Sequence, residues 1–182
     1  EALLVDPGSE AERIKTTLAE AGANPVAILN THAHFDHIGA VDTLCKTYDI
    51  PFYLHEADTR LLSKANLYMK VFGGKEPIKV PSISHYLKKA EAPYKVGTFE
   101  VEVMETPGHT PGSVCLKVGK DVFVGDTIMS NGAGRTDLPG GNKGALDTSI
   151  ARLEQETSAD CLMWPGHGRP FKLQDVDSLE VS

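Results

Sequence analysis

Three histidines and an aspartate fall within the segment Thr31-His32-Ala33-His34-Phe35-Asp36-His37, directly after the apolar run Val26-Ala27-Ile28-Leu29. Imidazoles and carboxylates are costly to bury without partners, and packed apolar side chains would be cheaper there, so the cluster points to a bound cation. His32 and His34 are two apart and project to the same side of an extended strand end. Asp36 and His37 follow where the chain must turn, and can address a second ion beside the first. Taken alone, the tract also fits a solvent-facing, His-rich turn.

Further polar residues stand just past apolar runs, where a layered fold collects its functional groups. His109 sits in Thr106-Pro107-Gly108-His109-Thr110-Pro111-Gly112-Ser113, whose turn-forming residues place an imidazole on a rigid loop between two strands. Asp126 closes Val122-Phe123-Val124-Gly125-Asp126, and His167 stands in Trp164-Pro165-Gly166-His167-Gly168. Singly, His109 reads equally as a turn residue, Asp126 as a helix cap and His167 as a surface histidine. Jointly they extend the metal reading.

The segment THAHFDH followed in order by His109, Asp126 and His167 resembles the metallo-beta-lactamase fold superfamily. The resemblance runs from Val5-Asp6-Pro7-Gly8 to Gly166-His167-Gly168 and implies an α/β, four-layer αββα sandwich with metals at one edge of two sheets. It further implies that His32, His34 and His109 bind one metal, that Asp36, His37 and His167 bind the other, and that Asp126 bridges them. Asp6 matches the superfamily's early aspartate and would support the metal loops without being a ligand. Many lactamase members carry a cysteine ligand late in the site; Asp126 stands there in this chain, which favours the hydrolase branch resembling glyoxalase II.

That branch implies hydrolysis of small acyl thioesters such as S-D-lactoylglutathione, with Asp36 and Asp126 in catalytic roles. Two ions held by imidazoles and carboxylates would make hydroxide available near neutral pH and stabilise an oxyanion. Imidazole and carboxylate suit zinc, iron and manganese alike; zinc is the expectation, at two ions per chain. The substrate hint is Gly132-Ala133-Gly134-Arg135-Thr136-Asp137-Leu138-Pro139-Gly140-Gly141, which looks like the signature of small single-domain glyoxalase II-like hydrolases. Its glycines allow close backbone approach, and Arg135 offers a cationic fork for a substrate carboxylate. The stretch is also similar to persulfide dioxygenases, which hold a single iron, and Arg135 could instead pair with Asp137 to hold the loop. A lactamase-like hydrolase is a further alternative. The competing class is a non-enzymatic domain in which closed metal sites only staple the fold.

Length and charge agree with one enzyme domain spanning 1–182. At 182 residues, with 41% apolar and 24% charged residues, the chain can build a real core, and disordered or fibrous classes are excluded. A net charge of -7 opposes a nucleic-acid backbone as the main partner. Cys45, Cys115 and Cys161 lie apart in apolar sequence and read as core thiols of a reducing compartment, the cytoplasm by default. No stretch reaches the roughly 18 apolar residues of a membrane span. The opening Glu1-Ala2-Leu3-Leu4-Val5 reads as the second strand of a hairpin whose first strand is absent, so its edge could pair copies of the chain. At the other end, Phe171 to Val176 and the few residues after it leave no room for the helical substrate domain of full glyoxalase II.

The elements that must position these residues alternate strand and helix. Ser9-Glu10-Ala11-Glu12 has capping-box spacing, Ile14 and Leu18 give the following helix an apolar face, and Gly22 stops it. After strand Val26 to Leu29, Val41, Leu44, Cys45 and Tyr48 recur at helical spacing. Pro51 to His55 reads as a strand, with His55 satisfied locally, and Glu56 to Ser63 as a short helix. Residues 64–94 carry aromatics and glycines, with weak helical periodicity near Leu67 to Val71 and no sustained strand pattern, and read as a lid or as a loop with its own small core. Phe99, Val101 and Val103 alternate with glutamates as a half-buried strand; Val114 to Val118 and Val122 to Val124 form a hairpin around Gly119-Lys120. Leu146, Ile150 and Leu153 mark a last helix, and Cys161 to Trp164 the strand that carries His167.

Overall fold

The computed structural model describes residues 1–74 and 76–175, which fall into two compact units. The first comprises Glu1–Leu87 with Val96–Phe99, the second Lys88–Lys95 with Glu100 onward.

In the first unit, strands β1 (Ala2–Val5), β2 (Pro25–Leu29), β3 (Phe52–His55) and β4 (His85–Leu87) form a sheet in that order, every neighbouring pair parallel. Parallel pairing needs crossovers, and helices supply them. Helix α1 (Ala11–Glu20) joins β1 to β2. Helices α2 (Phe35–Ile38) and α3 (Val41–Tyr48) join β2 to β3, and α4 (Thr59–Ser63) and α5 (Ala65–Val71) precede β4. Ala27, Ile28 and Leu29 are consecutively buried, as expected of a parallel strand with neighbours on both edges. Ile28, Phe52 and Leu54 from the strands meet Ile38, Val41, Leu44, Leu61 and Leu62 from the helices in one core.

The second sheet, all but Val96 and Phe99 of which belongs to the second unit, has β5 (Tyr94–Val96), β6 (Phe99–Glu105), β7 (Val114–Val118), β8 (Asp121–Gly125) and β11 (Leu162–Pro165) in the order β11-β8-β7-β6-β5. Strand β7 runs antiparallel to both β6 and β8, and β11 returns parallel to β8. A small hairpin of β9 (Ile128–Met129) and β10 (Gly132–Ala133) follows β8. Helix α6 (Lys143–Glu156) packs Leu146, Ile150 and Leu153 onto Val122, Val124 and Met163. Its start is capped by Asn142, whose Oδ1 accepts from Ala145 N at 2.9 Å. The fold is therefore mixed α/β, two β-sheets flanked by helices, consistent with the αββα architecture expected.

Several local expectations change. The capping box does not form: α1 begins after Glu10, whose carboxylate takes Arg13 at 3.0 Å, while Glu12 takes Lys15 at 2.7 Å. Pairing with these flexible cations replaces capping of the backbone. Within residues 64–94 the weak helical periodicity near Leu67 to Val71 falls on α5, while β4 is too short to show alternation. Cys115 and Cys161 are buried thiols but Cys45 is only half-buried. Burial pushes the Cys45 and Cys115 thiols up to about 11. Among the described residues no helix is long and apolar enough to cross a membrane. Residues 176–182 lie outside the described residues, Val176 among them.

Phe52 is a fully buried aromatic of the first core. Phe52→Ala is expected to cost about 3–5 kcal/mol of unfolding free energy, measured by urea unfolding; a loss below about 1 kcal/mol would contradict this account of the core.

Candidate metal centre

The first unit builds its polar cluster at the end of β2. Three buried imidazoles lie together, His32 with ring centroids 4.8 Å from His34 and 4.1 Å from His37. Two segments hold them. After β1, Asp6 turns with φ +43 and Gly8 with φ +66, so the chain runs back over the loop that follows β2. Gly8 N donates to His37 O at 3.3 Å and Gly8 O accepts from Ala40 N at 2.7 Å. Asn30, fully buried, donates from Nδ2 to His37 O at 3.0 Å.

Asp6 organises the cluster. Its Oδ1 accepts from Thr31 N at 2.8 Å, and its Oδ2 accepts from Thr31 Oγ1 at 2.6 Å and faces His37 Nδ1 at 3.1 Å. Thr31 has one hydroxyl proton, given to Asp6, so its oxygen accepts from His32 Nδ1 at 3.0 Å. A neutral imidazole carries one N–H and one lone pair. Placing the proton on Nδ1 of His32 and of His37 therefore leaves Nε2 as the nitrogen able to bind a metal. His34 sits at the start of α2 in extended conformation, and Asp36 and His37 follow on that short helix. His37 Nε2 is 3.8 Å from the half-exposed Asp36 carboxylate.

The second unit builds a matching cluster. Asp126 follows β8, and its Oδ2 lies 3.5 Å from His109 Nε2 and 3.6 Å from His167 Nε2. One carboxylate oxygen thus addresses two imidazole nitrogens. The remaining nitrogen of His109, Nδ1, is 2.7 Å from the main-chain oxygen of Arg135. A carbonyl only accepts, so the proton is on Nδ1 and Nε2 again carries the lone pair. Gly108 seats this loop against α6: a Cβ there would lie 2.3 Å from Leu146 N, and Gly108 O accepts from Asn142 N at 2.7 Å.

Each unit thus brings its share of the expected residues together: His32, His34, Asp36, His37 and Asp6 in one, His109, Asp126 and His167 in the other. The donor chemistry fits a divalent ion. Neutral imidazoles with Nδ1 committed, beside carboxylates, are what zinc, iron and manganese accept. Arg135 makes a forked pair with Asp137, Nε to Oδ1 at 2.8 Å and a terminal nitrogen to Oδ2 at 2.7 Å, the alternative weighed from the sequence. Arg135 thereby holds the Asp137 carboxyl down to about 2. His55 is satisfied locally, its Nδ1 accepting from Ala57 N at 3.2 Å. Sequence reasoning missed two residues. Thr31 was inside the motif without a role, and Asp58, fully buried, accepts from Ala33 N at 2.9 Å between His32 and His34. No spacing signal marks Asp58; it is one acid among several after β3.

Residues 1–167 match the family model described as the metallo-beta-lactamase superfamily. The chain is 41% identical over 170 residues to the probable metallo-hydrolase YqgX of Bacillus subtilis (strain 168), covering 91% of this chain and 79% of that protein. The solved structure of the BLEG-1 B3 metallo-beta-lactamase is similar with a TM-score of 0.89 at 36% identity, over 96% of this chain and 84% of that chain. TTHA1623 in a di-iron-bound form is similar with a TM-score of 0.82 at 37% identity, over 93% and 83%.

Removing the Asp6 carboxylate leaves buried donors on Thr31 and His37 without their acceptor. Asp6→Ala is expected to lower stability by about 1–3 kcal/mol and to weaken metal binding, read by denaturant unfolding and by metal content after dialysis; full metal retention would remove Asp6 from its supporting role. For Asp137 the folded pKa is depressed from the ordinary 3.8 to about 2. The pair's contribution is thus present above pH 3.8 and lost as pH falls towards 2. It is small because both groups are exposed. Carboxyl NMR titration should find Asp137 near 2 and, in Arg135→Ala, back near about 4; an unchanged midpoint would refute the pairing in solution.

Proposed function

The chain belongs to the metallo-beta-lactamase superfamily, and from that premise we propose that it is a binuclear metal-dependent hydrolase of small acyl thioesters, S-D-lactoylglutathione or a close analogue being the first candidate. The proposed ligand set keeps His32, His34 and His109 for one ion, Asp36, His37 and His167 for the other, and Asp126 for both. The observation that carries it is Asp126, whose single Oδ2 stands within 3.6 Å of two imidazole nitrogens. That arrangement suits a carboxylate shared between two cations. We take zinc as the metal; the di-iron form of TTHA1623 makes iron the first alternative.

When bound, divalent ions supply a Lewis acid for the carbonyl oxygen and ionise water near neutral pH. The chain's own residues do the rest. Asp36, half-exposed, accepts a hydrogen bond from the incoming water and orients it towards the carbonyl carbon. Arg135, with an exposed guanidinium, receives a carboxylate of the thiol carrier, sharing itself with Asp137. The leaving thiolate requires no proton from the protein, so no general acid has to be found among the ligands. Phe72 stacks on Phe35 at 6.1 Å, between His34 and Asp36 in sequence, which supports reading the segment from residue 64 as a lid. The free thiols of Cys45, Cys115 and Cys161 suit a reducing compartment, and we assign the protein to the cytoplasm. A second reading, hydrolysis of a β-lactam, is favoured by the 36% identical structure described as a B3 metallo-beta-lactamase.

The test combines metal analysis with a substrate panel. Protein prepared without chelator should carry close to two ions per chain. At matched metal loading, lactoylglutathione and other acyl thioesters should be cleaved faster than nitrocefin or a phosphodiester, and glutathione persulfide should consume no oxygen. Asp126→Ala should lower thioester turnover about 100-fold or more, since outer-shell partners of metal ligands alone are worth about 10–100-fold. Arg135→Ala should raise KM about 10-fold or more. Cleavage of nitrocefin alone would favour the second reading, and one ion with persulfide oxidation would overturn both.

A further inference from the structure

Asp126 and His109 are separated in sequence, yet one short segment touches both. After Asp126 the chain runs out along β9 and back along β10, pairing Ala133 with Ile128 and Gly132 with Met129. This hairpin returns Gly134 onto the residue it left. Gly134 N donates to Thr127 O at 3.2 Å, and a Cβ at position 134 would lie 1.7 Å from Asp126 O. No side chain fits there, so Gly134 lies directly against the Asp126 main chain. The next residue turns its carbonyl to His109 Nδ1 at 2.7 Å. The one after that pair is fixed in turn. The Arg135 side chain forks onto Asp137 through two bonds, and a Cβ on Gly141 would lie 2.2 Å from Thr136 O.

We infer that residues 134–137 form a main-chain clamp, in which the Arg135–Asp137 fork holds the Arg135 carbonyl on His109 Nδ1 while Gly134 seats the same turn on Asp126, so that one exposed ion pair positions both metal-facing groups of this unit. The clamp acts through geometry. An accepting carbonyl at 2.7 Å selects the Nδ1–H form of His109 and fixes the ring plane. Nε2 then faces Asp126 Oδ2, and a shift of the turn would move the two groups together because one peptide segment carries both contacts. Arg135 is thereby a positioning residue in addition to the substrate contact proposed above. Asp137 has no substrate role, which makes it an informative position to change, and Arg135→Lys, which keeps the Asp137 charge that His109 also feels, separates geometry from charge. The metal half of this inference rests on the ligand set proposed above; the tautomer half does not.

The experiment compares wild type with Asp137→Ala and Arg135→Lys, and adds Gly134→Ala as the strongest perturbation. Asp137→Ala leaves the Arg135 cation in place and Arg135→Lys leaves a cation without the fork. Long-range proton–nitrogen NMR on metal-free protein reads the His109 tautomer. Chelator competition with zinc reads affinity. Wild type should show the Nδ1–H form alone. Both fork variants should show a mixed or exchanging His109 signal and about 10-fold weaker zinc binding, the lower end of what outer-shell partners supply, and Gly134→Ala a larger loss. A pure Nδ1–H signal in both fork variants overturns the clamp, and so does unchanged zinc affinity where wild type binds zinc. A wild type that binds no zinc refutes the proposed metal centre by itself, and the tautomer readout then decides the clamp alone. A substrate role for Arg135 without clamping would leave both readouts at their wild-type values in Asp137→Ala and change only KM.

Discussion

The constraint on which the rest depends is the direction of one proton on each buried imidazole. His32, His37 and His109 are almost wholly buried, and a buried neutral imidazole presents a lone pair to a cation only if its other nitrogen gives its proton to a fixed acceptor. Thr31 Oγ1, Asp6 Oδ2 and the Arg135 carbonyl are those acceptors. Each is itself held by something more remote. Asp6 is held by the turn after β1, Thr31 by Asp6, and the Arg135 carbonyl by a hairpin and an ion pair. The polar clusters are thus only as well defined as the loops behind them.

Those loops are positioned by apolar packing that contributes nothing chemical. In the first unit the parallel strands end together, so the segments after β1 and β2 emerge side by side and can exchange bonds such as Gly8 N to His37 O. In the second, β8 and β7 deliver Asp126 and the loop of His109 from one end of an antiparallel pair, and α6 packs Gly108 from behind. Burying such side chains stabilises by roughly 1.5–3 kcal/mol each. That gain offsets the cost of gathering imidazoles and carboxylates in one place. Burial against the same cores pushes the Cys45 and Cys115 thiols away from ionisation.

Arg135 illustrates why a side-chain reading of a loop is incomplete. Its charge suggested a contact for an anionic substrate, and the guanidinium is indeed exposed. Its main-chain oxygen, invisible to any argument from residue type, is the atom that meets His109. The glycines around it follow the same logic. The close backbone approach that Gly134 allows is that of the Asp126 carbonyl, which fills the space a side chain would take.

The sequence by itself determined the candidate donor residues, the alternation of strands and helices, and the family. Side-chain type, a period of two or of 3.6, and turn residues are local properties, and a seven-residue histidine motif carries its chemistry wherever it folds. The strands of Val26 to Leu29, Phe99 to Val103 and the hairpin around Gly119 were legible for that reason. Ser9 and Glu12 misled because the Glu12 carboxylate can close a capping box or pair with a neighbouring cation, and spacing alone does not choose. Only the tertiary structure decided which nitrogen of each histidine faces the site, that Asp58 reaches Ala33 from the turn after β3, and that the turn at Arg135 ties Asp126 to His109. The contacts of Asp6 with Thr31, of Asp58 with Ala33 and of Arg135 with His109 join residues 25 or 26 apart. They depend on how strands pair and where loops return, and no local pattern records the position of a distant carbonyl or carboxylate.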